Sequence, residues 1–126
     1  MSLQTPLARV RGLGSAKSGT DHWVGQRLTA IVLLPLSLWF LYFATTLVGA
    51  DYGAIRAAVA QPWSAALLAT FVVVVLYHAQ LGLQVVIEDY VHVRWAELSL
   101  LIAVKFIALL GSVAVLLAVA RIALGA

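Results

Sequence analysis

Long uncharged runs alternate with short polar segments along this chain. The first run extends from Leu28 to Ala50, 23 residues without a formal charge. The second extends from Ala57 to Ile87 and is interrupted only by His78. The third extends from Leu98 to Ala120, with Lys105 as its only charge. Because a helix of about 20 apolar residues crosses the hydrocarbon core of a bilayer, the pattern predicts three transmembrane helices, at residues 28–50, 63–88 and 98–120.

Two prolines refine this prediction. Pro62 and Trp63 mark the start of the second helix, because proline suits the first turn and tryptophan suits the membrane interface. Pro35 lies inside the first predicted helix. We expect a kink there rather than a break, because neighbouring helices in a bundle can satisfy the carbonyl that a proline frees.

The composition agrees with a membrane protein. Of the 126 residues, 63% are hydrophobic and 10% are charged, and the mean hydropathy is +1.03, far above that of an ordinary soluble domain. We therefore predict an all-α membrane protein with a single membrane-anchor domain over residues 1–126. The chain has no cysteine, which excludes disulfides and cysteine-held iron–sulfur clusters from it.

Positive charge is concentrated at the start of the chain. The lead-in (residues 1–26) and the residue after it contain one acid, Asp21, and four basic residues, Arg9, Arg11, Lys17 and Arg27. Basic segments of this kind stay on the cytoplasmic side of a membrane, so we predict a cytoplasmic or matrix-side N-terminus and a C-terminus on the opposite side. The same placement argues against a nucleic-acid partner, although the net charge is +3.

An ionisable residue within a membrane helix is costly, which makes His78 a candidate functional residue. Helical spacing puts His78, Gly82 and Asp89 on one face. A neutral imidazole can bind a metal such as haem iron, and Gly82 would let a flat group or another helix come close. The alternative is that His78 only forms a hydrogen bond across the bundle. His22 and His92 lie outside the predicted helices, so a second axial ligand would come from another polypeptide.

Acidic and phenolic side chains close the second predicted helix. Asp89 and Tyr90 follow Glu88 at its end, eleven residues and about 16 Å of helix rise beyond His78. One interpretation is that Tyr90 is an interfacial aromatic anchor beside solvated acids. The other is that its phenol donates a hydrogen bond to a bound molecule, with the neighbouring carboxylate orienting it.

The segment from His78 to His92, "HAQLGLQVVIEDYVH", resembles the smaller hydrophobic membrane-anchor family of succinate dehydrogenase, or respiratory complex II. The segment "HWVGQRLTAI", His22 to Ile31, is similar to that family's entry into its first helix, and the lead-in "RGLGSAKSG" resembles its bacterial members closest to mitochondria. The resemblance implies a membrane anchor of cytochrome b type in a bacterial inner membrane, or in the mitochondrial inner membrane if the source is eukaryotic.

The resemblance also implies cofactors and partners. His78 matches the family's axial ligand of haem b, whose other ligand belongs to a sister cytochrome b anchor subunit. Tyr90 matches the tyrosine that binds a ubiquinone carbonyl oxygen, and Asp89 matches the acid that supports it. FAD and the iron–sulfur clusters belong to a flavoprotein and an iron–sulfur subunit, so this chain carries no catalytic residue for succinate oxidation.

Three other ionisable residues leave alternatives open. Arg27 and His22 are placed to contact a haem propionate or a lipid phosphate, but each also fits an ordinary interfacial role. Lys105 either extends to the surface or pairs with an acid of a partner, and we assign it no catalytic role.

Other functions also remain possible at this stage. A small proton- or ion-translocating subunit would use His78 and Lys105 as intramembrane charges. A purely structural anchor would bind no haem. A fumarate reductase anchor would differ only in the direction of electron flow.

Overall fold

The structure is a computed structural model that describes residues 5–10 and 19–125. Its described elements are helices, with no strand among them: α1 (Pro6–Val10), α2 (Gly19–Thr46), α3 (Tyr52–Ala60), α4 (Pro62–Tyr90) and α5 (Arg94–Ala123). Three of these, α2, α4 and α5, are long and apolar enough to cross a membrane. The prediction of a three-span, all-α membrane protein is therefore confirmed. The basic residues Arg11 and Lys17 lie outside the described residues.

The ends of the spanning helices differ in part from the predicted ones. α4 begins at Pro62, where proline occupies the first turn without losing a helical hydrogen bond. α2 begins at Gly19, well before Leu28, and continues through Pro35. Its first turns carry polar side chains that hydropathy alone does not recognise as part of a spanning helix. Several of them face α4, which supplies their partners.

The connection between α2 and α4 contains a helix of its own. α2 ends at Thr46, and Gly49 turns the chain with a φ of +78°, a conformation that glycine adopts without a steric penalty. Asp51 then caps α3, because its Oδ1 accepts a hydrogen bond from the backbone N–H of Ala54 at 2.7 Å. Alanine-rich α3 packs against α4 and α5 at the end of the bundle opposite to Tyr90.

Helix α4 is the centre of the bundle. It packs against both α2 and α5, whereas the described residues of α2 and α5 make no contact with each other. Phe40 of α2 stacks on Phe71 of α4, with ring centroids 4.7 Å apart. On the other side Gly111 allows α5 to come close, since a Cβ built there would be 3.2 Å from Leu76 Cδ1. Every candidate site residue on α4 is thus positioned by one of these two contacts.

Candidate functional site

His78 faces α2 in the interior of the bundle. Its Nδ1 atom is 2.8 Å from the hydroxyl oxygen of Thr29, and its Nε2 atom is 3.4 Å from the amide nitrogen of Gln26. Thr29 is buried and His78 is partly buried. The predicted site histidine is therefore held by two polar side chains of the first spanning helix, which bear on its protonation and its orientation.

The Thr29 hydroxyl defines which nitrogen of His78 remains available. Its oxygen is 2.8 Å from the carbonyl oxygen of Gly25, to which it donates its single proton. The same oxygen can then only accept a hydrogen bond from His78, so Nδ1 carries the imidazole proton. Nε2 keeps its lone pair, and the 3.4 Å contact with the Gln26 amide is too long for a strong hydrogen bond. Such an imidazole is prepared to bind a metal through Nε2.

Gln26 fills the space that Gly82 leaves open. A Cβ built at Gly82 would be 3.7 Å from the Gln26 amide nitrogen, so the neighbour admitted by this glycine is a side chain of α2. The Gln26 carbonyl oxygen Oε1 is buried without a hydrogen-bond partner among the described residues. A buried amide with an unused acceptor is weakly held, and its rotation would give an iron atom access to Nε2.

Sequence reasoning assigned no role to Thr29 or Gln26, although a signal was present. His22, Gln26 and Thr29 recur at helical spacing within "HWVGQRLTAI", and such spacing puts them on one face of α2. A polar face on a helix that enters a membrane indicates that the face turns toward another helix. Reading that face against His78 would have found both residues.

A second polar region lies nearer the end of α4. It is a cavity of about 410 Å³ lined by Gly19, Asp21, His22, Tyr77, Leu81, Gln84 and Glu88. Gln84 donates a hydrogen bond to Glu88 at 2.8 Å, and the Nε2 atom of His22 is buried without a partner among the described residues. His22 is therefore brought close to Glu88 and not to His78.

Asp89 and Tyr90 are directed away from this cavity. Both are exposed, and Tyr90 retains 79% of its accessible surface. The Nδ1 atom of His92 lies 3.1 Å from the Tyr90 carbonyl oxygen, a contact that fixes the turn after α4. The phenol is thus free to meet a molecule or a subunit that approaches this end of the bundle.

The other basic candidates occupy separate positions. The Arg27 guanidinium lies over the Trp23 ring, 5.5 Å from its centroid, an arrangement typical of the membrane interface. Lys105 lines a groove between α4 and α5. Within residues 5–10 and 19–125, no three His, Cys, Asp or Glu side chains form a group that could hold a metal ion. Any metal bound by His78 would therefore take its other ligands from outside these residues.

The fold and this site define a multi-pass, all-α membrane subunit with one histidine inside the bundle. A family model described as "Succinate dehydrogenase/Fumarate reductase transmembrane subunit" matches residues 1–119, and the chain belongs to that family. The resemblance predicted from the sequence is confirmed. Membership of this family favours the membrane-anchor interpretation over a small ion-translocating subunit.

Curated relatives cover most of the chain. Proteins named "Succinate dehydrogenase hydrophobic membrane anchor subunit" from Rickettsia bellii (strain RML369-C) and Paracoccus denitrificans are 42% identical over 113 residues and 30% identical over 102 residues, respectively. These alignments cover 90% of each chain for the first and 81% of this chain and 79% of the relative for the second. No solved structure matches the chain at a significant level. Bacterial relatives and three apolar helices identify a multi-pass inner-membrane protein.

Proposed function

We propose that this chain is the anchor subunit of a succinate dehydrogenase in which His78 is an axial ligand of haem b. The observation that carries the proposal is the 2.8 Å contact between Thr29 Oγ1 and His78 Nδ1, which leaves Nε2 as the ligating nitrogen. Metal-binding histidines usually donate their other ring N–H to a partner in this way. When bound, the haem supplies one-electron transfer.

The second axial ligand comes from a sister cytochrome b anchor subunit. His22 lines the cavity near the start of α2, and His92 follows the end of α4, so neither is at the depth of His78. The haem is consequently shared between two chains. A flavoprotein with FAD and an iron–sulfur subunit complete the assembly and oxidise succinate, to which this chain contributes no catalytic residue.

Tyr90 and Asp89 form this chain's part of the ubiquinone site. Quinone reduction takes up two electrons and two protons, so the site needs a hydrogen-bond donor at the carbonyl oxygen on which negative charge develops. The exposed phenol of Tyr90 suits that role without losing its proton permanently. Asp89 is adjacent and charged, and it orients the phenol or a nearby cation of a partner subunit.

Arg27 and His22 serve the same membrane surface. Arg27 is exposed beside Trp23, so its guanidinium is available to a haem propionate or a lipid phosphate. His22 has an unpartnered Nε2 atom among the described residues and could contact a propionate. In the proposed orientation, with a cytoplasmic or matrix-side N-terminus, both residues and Tyr90 lie on the side where the hydrophilic subunits bind.

Purification of the native assembly through a tag on this chain tests the proposal. We expect the preparation to reduce ubiquinone with succinate and to contain a b-type haem in about equal amount to the flavin. Fumarate reduction measured with quinol shows which direction of electron flow is faster. Succinate–quinone activity without any b-type haem would establish the haem-free anchor instead, and absence of both activities would overturn the assignment.

Thr29→Val is expected to weaken haem binding by about tenfold, because loss of a hydrogen-bond partner to a ligating histidine has effects of this size. Valine keeps the shape of threonine but cannot accept the Nδ1 proton. The measurement is the ratio of haem to flavin in the purified assembly during dilution. Thr29→Ser, which keeps the hydroxyl, is the matched control. Equal haem retention in the Val and Ser variants would contradict a role for this hydrogen bond.

A further inference from the structure

A groove between α4 and α5 contains an intramembrane lysine and is separate from the His78 face. The groove has a volume of about 290 Å³ and is lined by Val73, Tyr77, Gln80, Lys105, Ala108, Leu109 and Ser112. Its α4 residues Val73, Tyr77 and Gln80 share a helical face that continues to Gln84. Tyr77 also lines the polar cavity at the α2 side. The groove is therefore the deep part of a trough that runs along α4 between α2 and α5.

Lys105 lies well inside the hydrocarbon core. α5 has 30 residues, a length of about 45 Å that exceeds the roughly 30 Å core at both ends. Lys105 is eleven residues beyond Arg94 and lines the groove at the level of Gln80. No hydrogen bond or ion pair satisfies its ammonium within the described part of the chain. A charge in this position is costly and requires a partner.

The other polar groups of the groove do not provide that partner. Ser112 donates its hydroxyl proton to the Ala108 carbonyl at 2.8 Å, and Gln80 is buried with its amide directed to Gln84 at 3.4 Å. Ala108 and Ser112 are small and four residues apart, a spacing typical of helix–helix contacts in membranes. The groove thus offers both the close approach that a helix needs and a charge that the helix must neutralise.

A second copy of this chain does not carry an acid at that depth. The five acidic residues all lie at or near helix ends: Asp21, Asp51, Glu88, Asp89 and Glu97. A copy inserted in the same orientation presents each of them at the same level as in the first. The counter-charge for Lys105 therefore belongs to a different polypeptide.

We propose that the trough is occupied by a transmembrane helix of another chain, which carries an aspartate or glutamate that pairs with Lys105. A buried ion pair of this kind fixes the depth and rotation of the partner helix, because breaking it leaves a charge unpaired in hydrocarbon. This interaction lies on a different face of α4 from His78, so it stands or falls independently of haem ligation.

Photo-cross-linking in native membranes identifies the occupant. A benzophenone amino acid is placed at position 105 and, as the control, at Leu110, an exposed residue about 140° around α5. We expect position 105, and not position 110, to join a membrane-spanning peptide of another chain that contains an acidic residue. Products with lipid alone, or with a second copy of this chain, would overturn the proposal.

A charge exchange then tests the ion pair. Lys105→Glu is expected to lower recovery of the cross-linked partner by at least tenfold in a tagged purification, whereas Lys105→Arg keeps it. Changing the identified acid of the partner to lysine should restore recovery with Lys105→Glu. Failure of that restoration, or unchanged recovery with Lys105→Met, would refute the pairing.

Discussion

Replacement of His78 by leucine is expected to remove the b-type haem band from the reduced-minus-oxidised spectrum of the purified assembly. Leucine approximates the size of imidazole but has no nitrogen to bind iron, so the haem content per flavin should fall by more than about tenfold. The bundle tolerates the change, because the Thr29 hydroxyl keeps its 2.8 Å hydrogen bond to the Gly25 carbonyl and no donor is left unpaired.

His92→Leu is the matched control for this experiment. His92 is exposed and contacts only the backbone at the end of α4 among the described residues, so its loss should leave the haem spectrum unchanged. Flavin and iron–sulfur content in both variants report whether the assembly forms. A wild-type spectrum from the His78→Leu assembly would refute axial ligation, and equal haem loss in both variants would indicate a general assembly defect.

The spanning helices were predictable because each consists mainly of residues that prefer lipid to water. The start of α2 was not, because His22, Gln26 and Thr29 are polar and their place in a helix depends on α4. Helix α3 was missed for a related reason. It is too short to be stable alone, and it forms with a cap from Asp51 and packing against α4 and α5.

The candidate site was predictable only as far as it lies on a single helix. The stripe of His78, Gly82 and Asp89 follows from helical geometry, and the family resemblance added roles for His78, Asp89 and Tyr90. The partners of His78 depend on how far α2 slides along α4. That register is set by contacts between side chains distant in sequence, such as the stacking of Phe40 on Phe71.

Tyr90→Phe is expected to lower the rate of quinone reduction by about tenfold or more, because a hydrogen-bond donor aimed at a developing charge contributes at least that much to a rate. Succinate oxidation measured with a soluble electron acceptor should be unchanged, since that reaction takes place in other subunits. Phenylalanine keeps the aromatic ring, and with 79% of the tyrosine exposed the packing of α4 is unaffected. The ratio of the two activities in one preparation is the measurement.

Tyr52→Phe provides a control of matching exposure at the other end of the bundle. Tyr52 is 78% exposed at the start of α3, so removal of its hydroxyl should change neither activity. If the Tyr90 variant loses both activities together, the phenol supports assembly and not quinone reduction. If only quinone reduction falls, and the haem spectrum is retained, the electron has reached the end of α4 and lacks the donor that receives the quinone there.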